Sequence, residues 1–137
     1  MPLAGDQLTI KEALALCSVV GFGTGPELVT AVAVMCAESG RYTGAWHDNL
    51  ADDGVTVVST DRGLFQINDK AHPSFSDEDA YDPKLNAVFA ADLAHTSSGF
   101  NWSPWAAYNS GAYLKFMAEV RDVKALHTWQ SRMKLWA

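Results

Sequence analysis

The stretch Leu28-Val-Thr-Ala-Val-Ala-Val-Met-Cys-Ala-Glu38-Ser-Gly40 decides the fold of this chain. Its residues before Glu38 carry no charge, so the segment predicts a helix that is apolar on every side and therefore buried. Glu38 is placed where this helix reaches the surface, just before Ser39-Gly40 ends it. Poor solvation and the negative end of the helix dipole both disfavour its ionisation, so we expect a raised pKa. Such a carboxyl group suits a general acid, although a solvated glutamate ending a core helix fits the same pattern.

Length and composition indicate one globular domain. The chain has 137 residues, of which 48% are apolar and 19% charged, and this balance predicts a single domain over residues 1–137. The net charge of -6 argues against nucleic acid as a partner. No apolar run is long enough for a membrane span, so we expect no membrane insertion. The N-terminus lacks a secretory signal, which predicts synthesis in a cytoplasm and export by other machinery.

The cysteines and histidines predict no cofactor. Cys17 and Cys36 each lie in an apolar helical stretch and are expected to be buried free thiols, or to pair if their helices pack side by side. The four histidines are scattered without the spacing of metal ligands, so no metal site is predicted.

The first half of the chain predicts two helices followed by a hairpin. Thr9 with Glu12 forms a capping box before a helix over roughly residues 10–20. Thr24 with Glu27 repeats the pattern before the apolar helix.

Residues 42–68 then predict a hairpin. Its acidic turn is Asp52-Asp53-Gly54, its second strand is Val55–Thr60, and residues 64–67 form a further short strand.

The second half predicts helices. Residues 69–82 are read as an acidic loop with one helical turn, and Asp82-Pro83 as an N-cap before a helix that ends at residues 97–99. Three further helices follow. They are predicted over residues 103–109, 113–120 and 123–134. The fold class is therefore α+β, mainly α, with one small sheet.

Three motifs resemble a known family. Cys36-Ala-Glu-Ser39 followed by Ser59-Thr-Asp-Arg-Gly-Leu-Phe-Gln-Ile-Asn68 resembles the core of the lysozyme superfamily, and the second block is close to the c-type lysozyme signature. Trp102-Ser-Pro-Trp-Ala-Ala-Tyr-Asn-Ser-Gly111 resembles the C-terminal motif of bacterial soluble lytic transglycosylases. In this order, the motifs cover roughly residues 24–115. The resemblance implies a lysozyme-like fold, with a small antiparallel hairpin sheet beside a helical core, and an enzyme that cleaves peptidoglycan.

The resemblance also implies roles for individual residues. Glu38 matches the catalytic acid, and Asp61 matches the second carboxylate of the c-type enzymes. In that family the two carboxylates have pKa values that diverge because their environments differ. Gln66 matches a cleft-lining position. Tyr108 and Asn109 match the transglycosylase pair, in which the tyrosine approaches the catalytic glutamate.

The segment between Glu38 and Asp61 is longer than in animal lysozymes, so the hairpin is expected to carry an insertion. That insertion offers rival second acids, namely Asp48, Asp52 and Asp53.

The tryptophans are divided by their neighbours. Trp46 and Trp102 are flanked by polar residues and are predicted to bind sugar in the cleft, whereas Trp105 and Trp129 lie at helical positions and are predicted to be core.

The resemblance leaves three functions open. The preferred one is a muramidase that hydrolyses the β-1,4 bond between N-acetylmuramic acid and N-acetylglucosamine. The alternatives are a lytic transglycosylase that uses Glu38 alone and an inactive murein-binding or structural module. The family's disulfides are missing, and together with the compact chain this predicts a bacteriophage lysin that acts on the wall after release or as part of a virion. Because murein is anionic, a separate wall-binding or virion module is a predicted partner.

Overall fold

The computed structural model describes residues 4–136, without the side chains of residues 129, 131, 132 and 134–136. The prediction that Trp129 is a core residue lies outside these described side chains. The helices are α1 (Ile10–Cys17), α2 (Pro26–Ser39), α3 (Asp77–Ala80), α4 (Pro83–Ala94), α5 (Ala106–Asn109) and α6 (Leu114–Trp136). The strands are β1 (Trp46–Leu50), β2 (Val57–Arg62), β3 (Ile67–Asn68), β4 (His95–Thr96) and β5 (Gly99–Phe100).

Helix α2 is the central core helix, as its composition predicts. Most of its side chains are buried, and α1, α5 and α6 pack against it. It ends at Ser39, and its C-cap is Gly40, whose φ of 61° is the left-handed conformation that glycine adopts without strain. The second predicted capping box is wrong, because the N-cap is Gly25 and no side chain caps the helix. The Glu27 carboxylate instead accepts a hydrogen bond from the Trp102 indole.

Helix α1 begins as predicted and ends earlier. The Thr9 and Glu12 side chains make both hydrogen bonds of the capping box. The α-helix ends at Cys17 and continues as one π-helical turn, Ser18–Phe22, because Gly21 has a φ of 127° that breaks the regular helix. Cys17 and Cys36 are both buried and free, so of the two expectations the free thiols are confirmed.

The hairpin forms a three-stranded antiparallel sheet in the order β1-β2-β3. The second strand begins at Val57 rather than Val55. The strand predicted over residues 64–67 is limited to Ile67 and Asn68, because a tight turn occupies residues 63–66. Gly63 is required in that turn, since its φ is 75° and a Cβ atom would lie 2.3 Å from the Ala80 carbonyl oxygen.

Two buried polar side chains join the sheet to the helices. Asn86 of α4 donates to the carbonyl oxygens of Arg62 and Ala80 and accepts the Phe65 N–H, so it holds both sides of the turn. Arg62 is 2% exposed and binds the Phe75 carbonyl at 2.8 Å and the Asp77 carboxylate at 3.0 Å. Because a buried polar group is costly without partners, these bonds determine how the sheet sits against α3 and α4.

The second half departs from prediction at three places, and one of them is α5, which begins at Ala106 rather than at residue 103 because Trp105 is extended. The Asp82 cap before Pro83 and the single helical turn in the acidic loop are both confirmed. Helix α4 ends at Ala94, earlier than predicted, because β4 and β5 pair as a small hairpin. The two helices predicted over residues 113–134 are one continuous helix, α6, since no glycine or proline interrupts that stretch.

The resulting fold is α+β and mainly α, as predicted, with the three-stranded sheet beside a helical core. Within residues 4–136, no helix combines the length and the apolar composition needed to cross a membrane. Over the same residues, no cluster of three or more histidine, cysteine, aspartate or glutamate side chains could hold a metal ion.

Candidate active site

Glu38 is a half-buried carboxyl group at the C-terminal end of α2. Its Oε1 accepts a hydrogen bond of 3.1 Å from the backbone N–H of Ala107, in the short helix α5. Burial raises the pKa of Glu38 above its ordinary value of 4.5, and the nearby charge of Asp61 raises it further. The Ala107 hydrogen bond opposes this shift but is weaker than the effect of burial on the pKa. The raised pKa expected from the apolar helix is therefore confirmed.

Asp61 lies on β2, and both of its carboxylate oxygens accept hydrogen bonds. Oδ1 accepts from the Asn68 amide at 2.9 Å, and Oδ2 accepts from the Asn49 amide at 3.1 Å. The same two amides donate to the Ser59 hydroxyl oxygen, at 3.0 Å and 3.1 Å respectively. Four side chains from three adjacent strands thus form one network, which holds the Asp61 carboxylate in a single orientation.

The two carboxyl groups come from different elements of the fold, and one acts electrostatically on the other. Glu38 is supplied by the end of the core helix and Asp61 by the sheet, and the charge of Asp61 acts on the pKa of Glu38. A cavity of about 290 Å³ opens beside Asp61. Its described lining includes the polar residues Gln66, Asn68 and His72, together with Pro104 and Trp105.

The strand register separates Asp61 from the nearest rival acid. Directly paired residues share a face of the sheet, and neighbours along a strand alternate between faces. His47 and Asn49 pair with Asp61 and Ser59, so these four share one face. Asp48 pairs with Thr60 on the opposite face, where it accepts the Thr60 hydroxyl at 2.8 Å.

Asp52 and Asp53 are exposed residues of the hairpin turn. The Asp53 carboxylate accepts the hydroxyl and backbone N–H of Thr56 and the N–H of Val55, and these bonds lower its pKa to about 2. Asp53 therefore stabilises the turn. Of the four candidate aspartates, Asp61 is the one whose charge raises the pKa of Glu38.

Gln66 lines the cavity together with Asp61. Its φ of 52° is unusual for a residue other than glycine, and its amide donates to the carbonyl oxygens of Ala45 and Gly63. Both bonds tie the amide to the turn itself. Strain of this kind is typical of functional sites, where the surrounding structure has to enforce it.

Tyr108 and Asn109 follow Ala107 directly but have other contacts. The Tyr108 ring is half-buried and stacks on Tyr113 with ring centroids 4.7 Å apart. The Asn109 amide donates to the Ser103 carbonyl oxygen at 2.8 Å. Over residues 4–136, the described hydrogen bonds join neither side chain to Glu38, and the roles assigned to both stay predictions.

The burial of the tryptophans does not follow the polarity of their neighbours in the sequence. Trp102 is 5% exposed, stacks on Phe22 at 5.5 Å and donates to Glu27, so its described contacts are with the core, and its role in sugar binding stays a prediction. Its polar neighbours face solvent while its ring points into the core. Trp46 is 36% exposed and lies on the sheet face opposite to Asp61, and its role in sugar binding also stays a prediction. Trp105 is buried, as predicted, yet one part of it lines the cavity.

Sequence reasoning missed three parts of the site. Asn49 and Asn68 orient Asp61. Asn49 pairs with Ser59 across β1 and β2, and Asn68 pairs with Asp61 across β2 and β3, so an assignment of strand register from the sequence could have found both residues. The N–H of Ala107 is a backbone group, so no side-chain pattern indicates it.

The comparison with known families identifies the kind of domain to which these residues belong. A family model described as a lysozyme-like domain matches residues 14–107, which includes Glu38, Asp61 and Gln66. The chain belongs to this lysozyme-like family. Neither the curated proteins nor the solved structures contain a match. Membership makes the chain a peptidoglycan-acting enzyme, either a glycoside hydrolase or a lytic transglycosylase. The match ends just before Tyr108 and Asn109.

Proposed function

We propose that this lysozyme-like domain is a muramidase that hydrolyses the β-1,4 bond between N-acetylmuramic acid and N-acetylglucosamine. The observation that carries the proposal is the contrast between Glu38 and Asp61, whose charge acts on the pKa of Glu38. Burial raises the pKa of Glu38, whereas both oxygens of Asp61 accept amide hydrogen bonds. Glycoside hydrolysis needs such a pair, in which one group donates a proton and the other is ionised.

Glu38 acts as the general acid. Its Oε1 is occupied by the Ala107 N–H, so the proton resides on Oε2 and is donated to the glycosidic oxygen as the bond breaks. The raised pKa keeps this proton in place at a pH where an ordinary glutamate has lost it. Asp61 stabilises the positive charge that develops on the sugar ring, as a counter-ion, a nucleophile or the base for a water molecule. Its two amide donors hold it in position for this task.

A lytic transglycosylase is the second candidate. The segment Trp102–Gly111, which resembles that class, contributes the Ala107 N–H that binds Glu38. In this reaction Glu38 alone protonates the leaving oxygen and then accepts a proton from the muramic acid C6 hydroxyl as that hydroxyl closes on C1. Asp61 would then be dispensable.

Product analysis distinguishes the two reactions. Purified murein is digested with the wild-type protein, and the released muropeptides are analysed by mass spectrometry before and after borohydride reduction. A muramidase gives reducing ends, which gain two hydrogens on reduction. Products that carry 1,6-anhydromuramic ends and resist reduction would refute hydrolysis and establish the second candidate.

An inactive murein-binding module is the third candidate. The Glu38→Gln variant and the wild type are compared for sedimentation with insoluble murein and for release of soluble fragments. Our proposal predicts that both proteins bind and that the wild type alone releases fragments. If both bind and neither releases fragments, the domain is a binder.

A bacteriophage lysin is the setting that we propose for this enzyme. Both cysteines are free, so folding does not depend on disulfides and is compatible with a reducing cytoplasm. Expression in a bacterium should leave cells intact until the inner membrane is permeabilised, and lysis should then follow within minutes. Lysis without permeabilisation would contradict this setting. Detection of the chain in purified virions would assign it to the particle instead.

A further inference from the structure

A second cavity lies far from the two carboxylates. It measures about 550 Å³ and opens between α1, the π-helical turn and the C-terminal part of α6. Leu28, at the start of α2, forms part of its wall, whereas Glu38 is at the other end of that helix. Ten residues of helix separate the two by about 15 Å, so this cavity is not part of the cleft.

The described lining of this cavity has an apolar floor and a basic rim. Leu14, Ala15 and Leu28 supply apolar surface, and Val19 is an apolar residue that is 75% exposed. The charged and titratable groups among the described lining residues are Lys11, Lys124 and His127, and this part of the lining has no carboxylate. The protein as a whole carries a net charge of -6, so this local excess of basic groups runs against its overall charge.

The two lysines are available for a ligand. Among the described residues, the one ion pair is that between Arg62 and Asp77, so neither Lys11 nor Lys124 is paired with a carboxylate there. Ser18, Thr24 and Thr128 add hydroxyl-bearing side chains to the described lining.

We propose that this cavity is a binding site for a single-chain anionic amphiphile, such as a free fatty-acid carboxylate. The alkyl chain would lie against the apolar floor, where burial of apolar surface drives binding. The anionic head would lie at the rim, within reach of the two ammonium groups, and charge-assisted hydrogen bonds to these groups would hold it. The volume falls within the range of roughly 300–1,000 Å³ that is usual for small-molecule sites.

Calorimetric titration tests the site with decanoate below its micellar concentration. We expect saturable binding of one decanoate per chain, much weaker binding of butyrate and no binding of decyltrimethylammonium. The Lys11→Gln/Lys124→Gln variant should lose affinity for decanoate by at least about tenfold, because each lysine supplies a charge-assisted contact. The matched control, Lys84→Gln/Lys115→Gln, removes the same charge from exposed positions outside the described lining and should bind like the wild type.

Val19→Asp is a second variant at an exposed position, so it should fold normally. It places a carboxylate at the rim and should abolish binding of decanoate. Equal binding of the cationic amphiphile, or an equal loss in the matched control, would overturn the proposal. Binding to anionic phospholipid vesicles without binding of monomeric decanoate would also overturn it, because the surface would then recognise a membrane.

Discussion

The end of α2 and one face of the hairpin each carry one carboxyl group, and the surroundings of the two groups differ: one is apolar and the other is polar. Glu38 lies at the end of a helix whose buried residues are almost all apolar, and its carboxyl group accepts one backbone hydrogen bond. Asp61 lies on a strand among polar side chains and receives two amide hydrogen bonds. Burial dominates at Glu38 and raises its pKa, while hydrogen bonding dominates the surroundings of Asp61.

The difference teaches that the acid and its partner depend on different levels of structure. A buried apolar helix reduces the solvation of a carboxyl group at its end and so raises the pKa of that group. The surroundings of Asp61 exist only when three strands are paired in the correct register. The following experiments test that contrast, starting with the largest expected effect.

Replacement of the acid should have the largest effect. Glu38→Gln keeps the size of the side chain and an oxygen for the Ala107 N–H, but it has no proton to donate. We expect the initial rate of murein cleavage to fall by about 10²- to 10⁴-fold, the usual contribution of a general acid. The rate is measured by release of soluble muropeptides, and Glu78→Gln, an exposed glutamate of α3, is the matched control. A rate near that of the wild type would remove Glu38 from the mechanism.

Replacement of the partner should have the next largest effect. Asp61→Asn removes the negative charge and brings an amide toward the donors Asn49 and Asn68. We expect a fall of about 10²- to 10³-fold, as for loss of other groups that stabilise charge in the transition state. Asp52→Asn, at the exposed turn, is the control. Retention of activity by Asp61→Asn, together with anhydro products, would mean that Glu38 acts alone.

The amide network should have a smaller effect. Asn68→Ala and Asn49→Ala each remove one hydrogen bond to the Asp61 carboxylate but leave its charge in place. We expect each to reduce the rate by about tenfold, the value of one hydrogen bond to a charged group. Gln130→Ala, which removes an exposed amide of α6, is the control. If Asp61→Asn lowers the rate but Asn49→Ala and Asn68→Ala do not, the orientation of the Asp61 carboxylate is not important for catalysis.

The pH dependence of stability should separate the environments of the two groups. Because the folded state raises the pKa of Glu38 above 4.5, the folded protein binds its proton more tightly than the unfolded chain does. The stability from this group is therefore full below the unfolded pKa and is lost as pH rises through the raised value.

Glu38→Gln removes that loss, so the variant should melt above the wild type at pH 7 and at nearly the same temperature at pH 4. Thermal unfolding followed by circular dichroism measures the difference. An equal change in melting temperature at both pH values would indicate a packing effect rather than a titration.

The rival aspartate should have the smallest effect on catalysis. Asp53→Ala removes the acceptor for the Thr56 and Val55 bonds and should loosen the hairpin turn. We expect activity within about twofold of the wild type, because surface changes remote from a site usually have small effects. A large loss of activity would transfer the second-acid role from Asp61 to the turn.

Much of the helical architecture could be predicted from the sequence because it depends on local patterns. The capping box of Thr9, the cap at Asp82 and the buried helix up to Glu38 are all determined by residues within one or two helical turns. The predictions that failed required distant partners. The Glu27 carboxylate does not cap α2 but accepts a hydrogen bond from Trp102, which is 75 residues away. The turn at residues 63–66 is held by Asn86 of another helix.

The sequence alone determined that Glu38 would end a buried helix, since a ten-residue apolar run is stable only when it is buried, and it predicted the raised pKa as one of two outcomes. It also identified Asp61 within a motif, although not its surroundings. Only the tertiary structure decided that Asp61 shares a face with Asn49 and that Asp48 does not, because strand pairing assigns side chains to faces. The same is true of the Ala107 N–H on Glu38, a contact between groups 69 residues apart that depends on how α5 packs against α2.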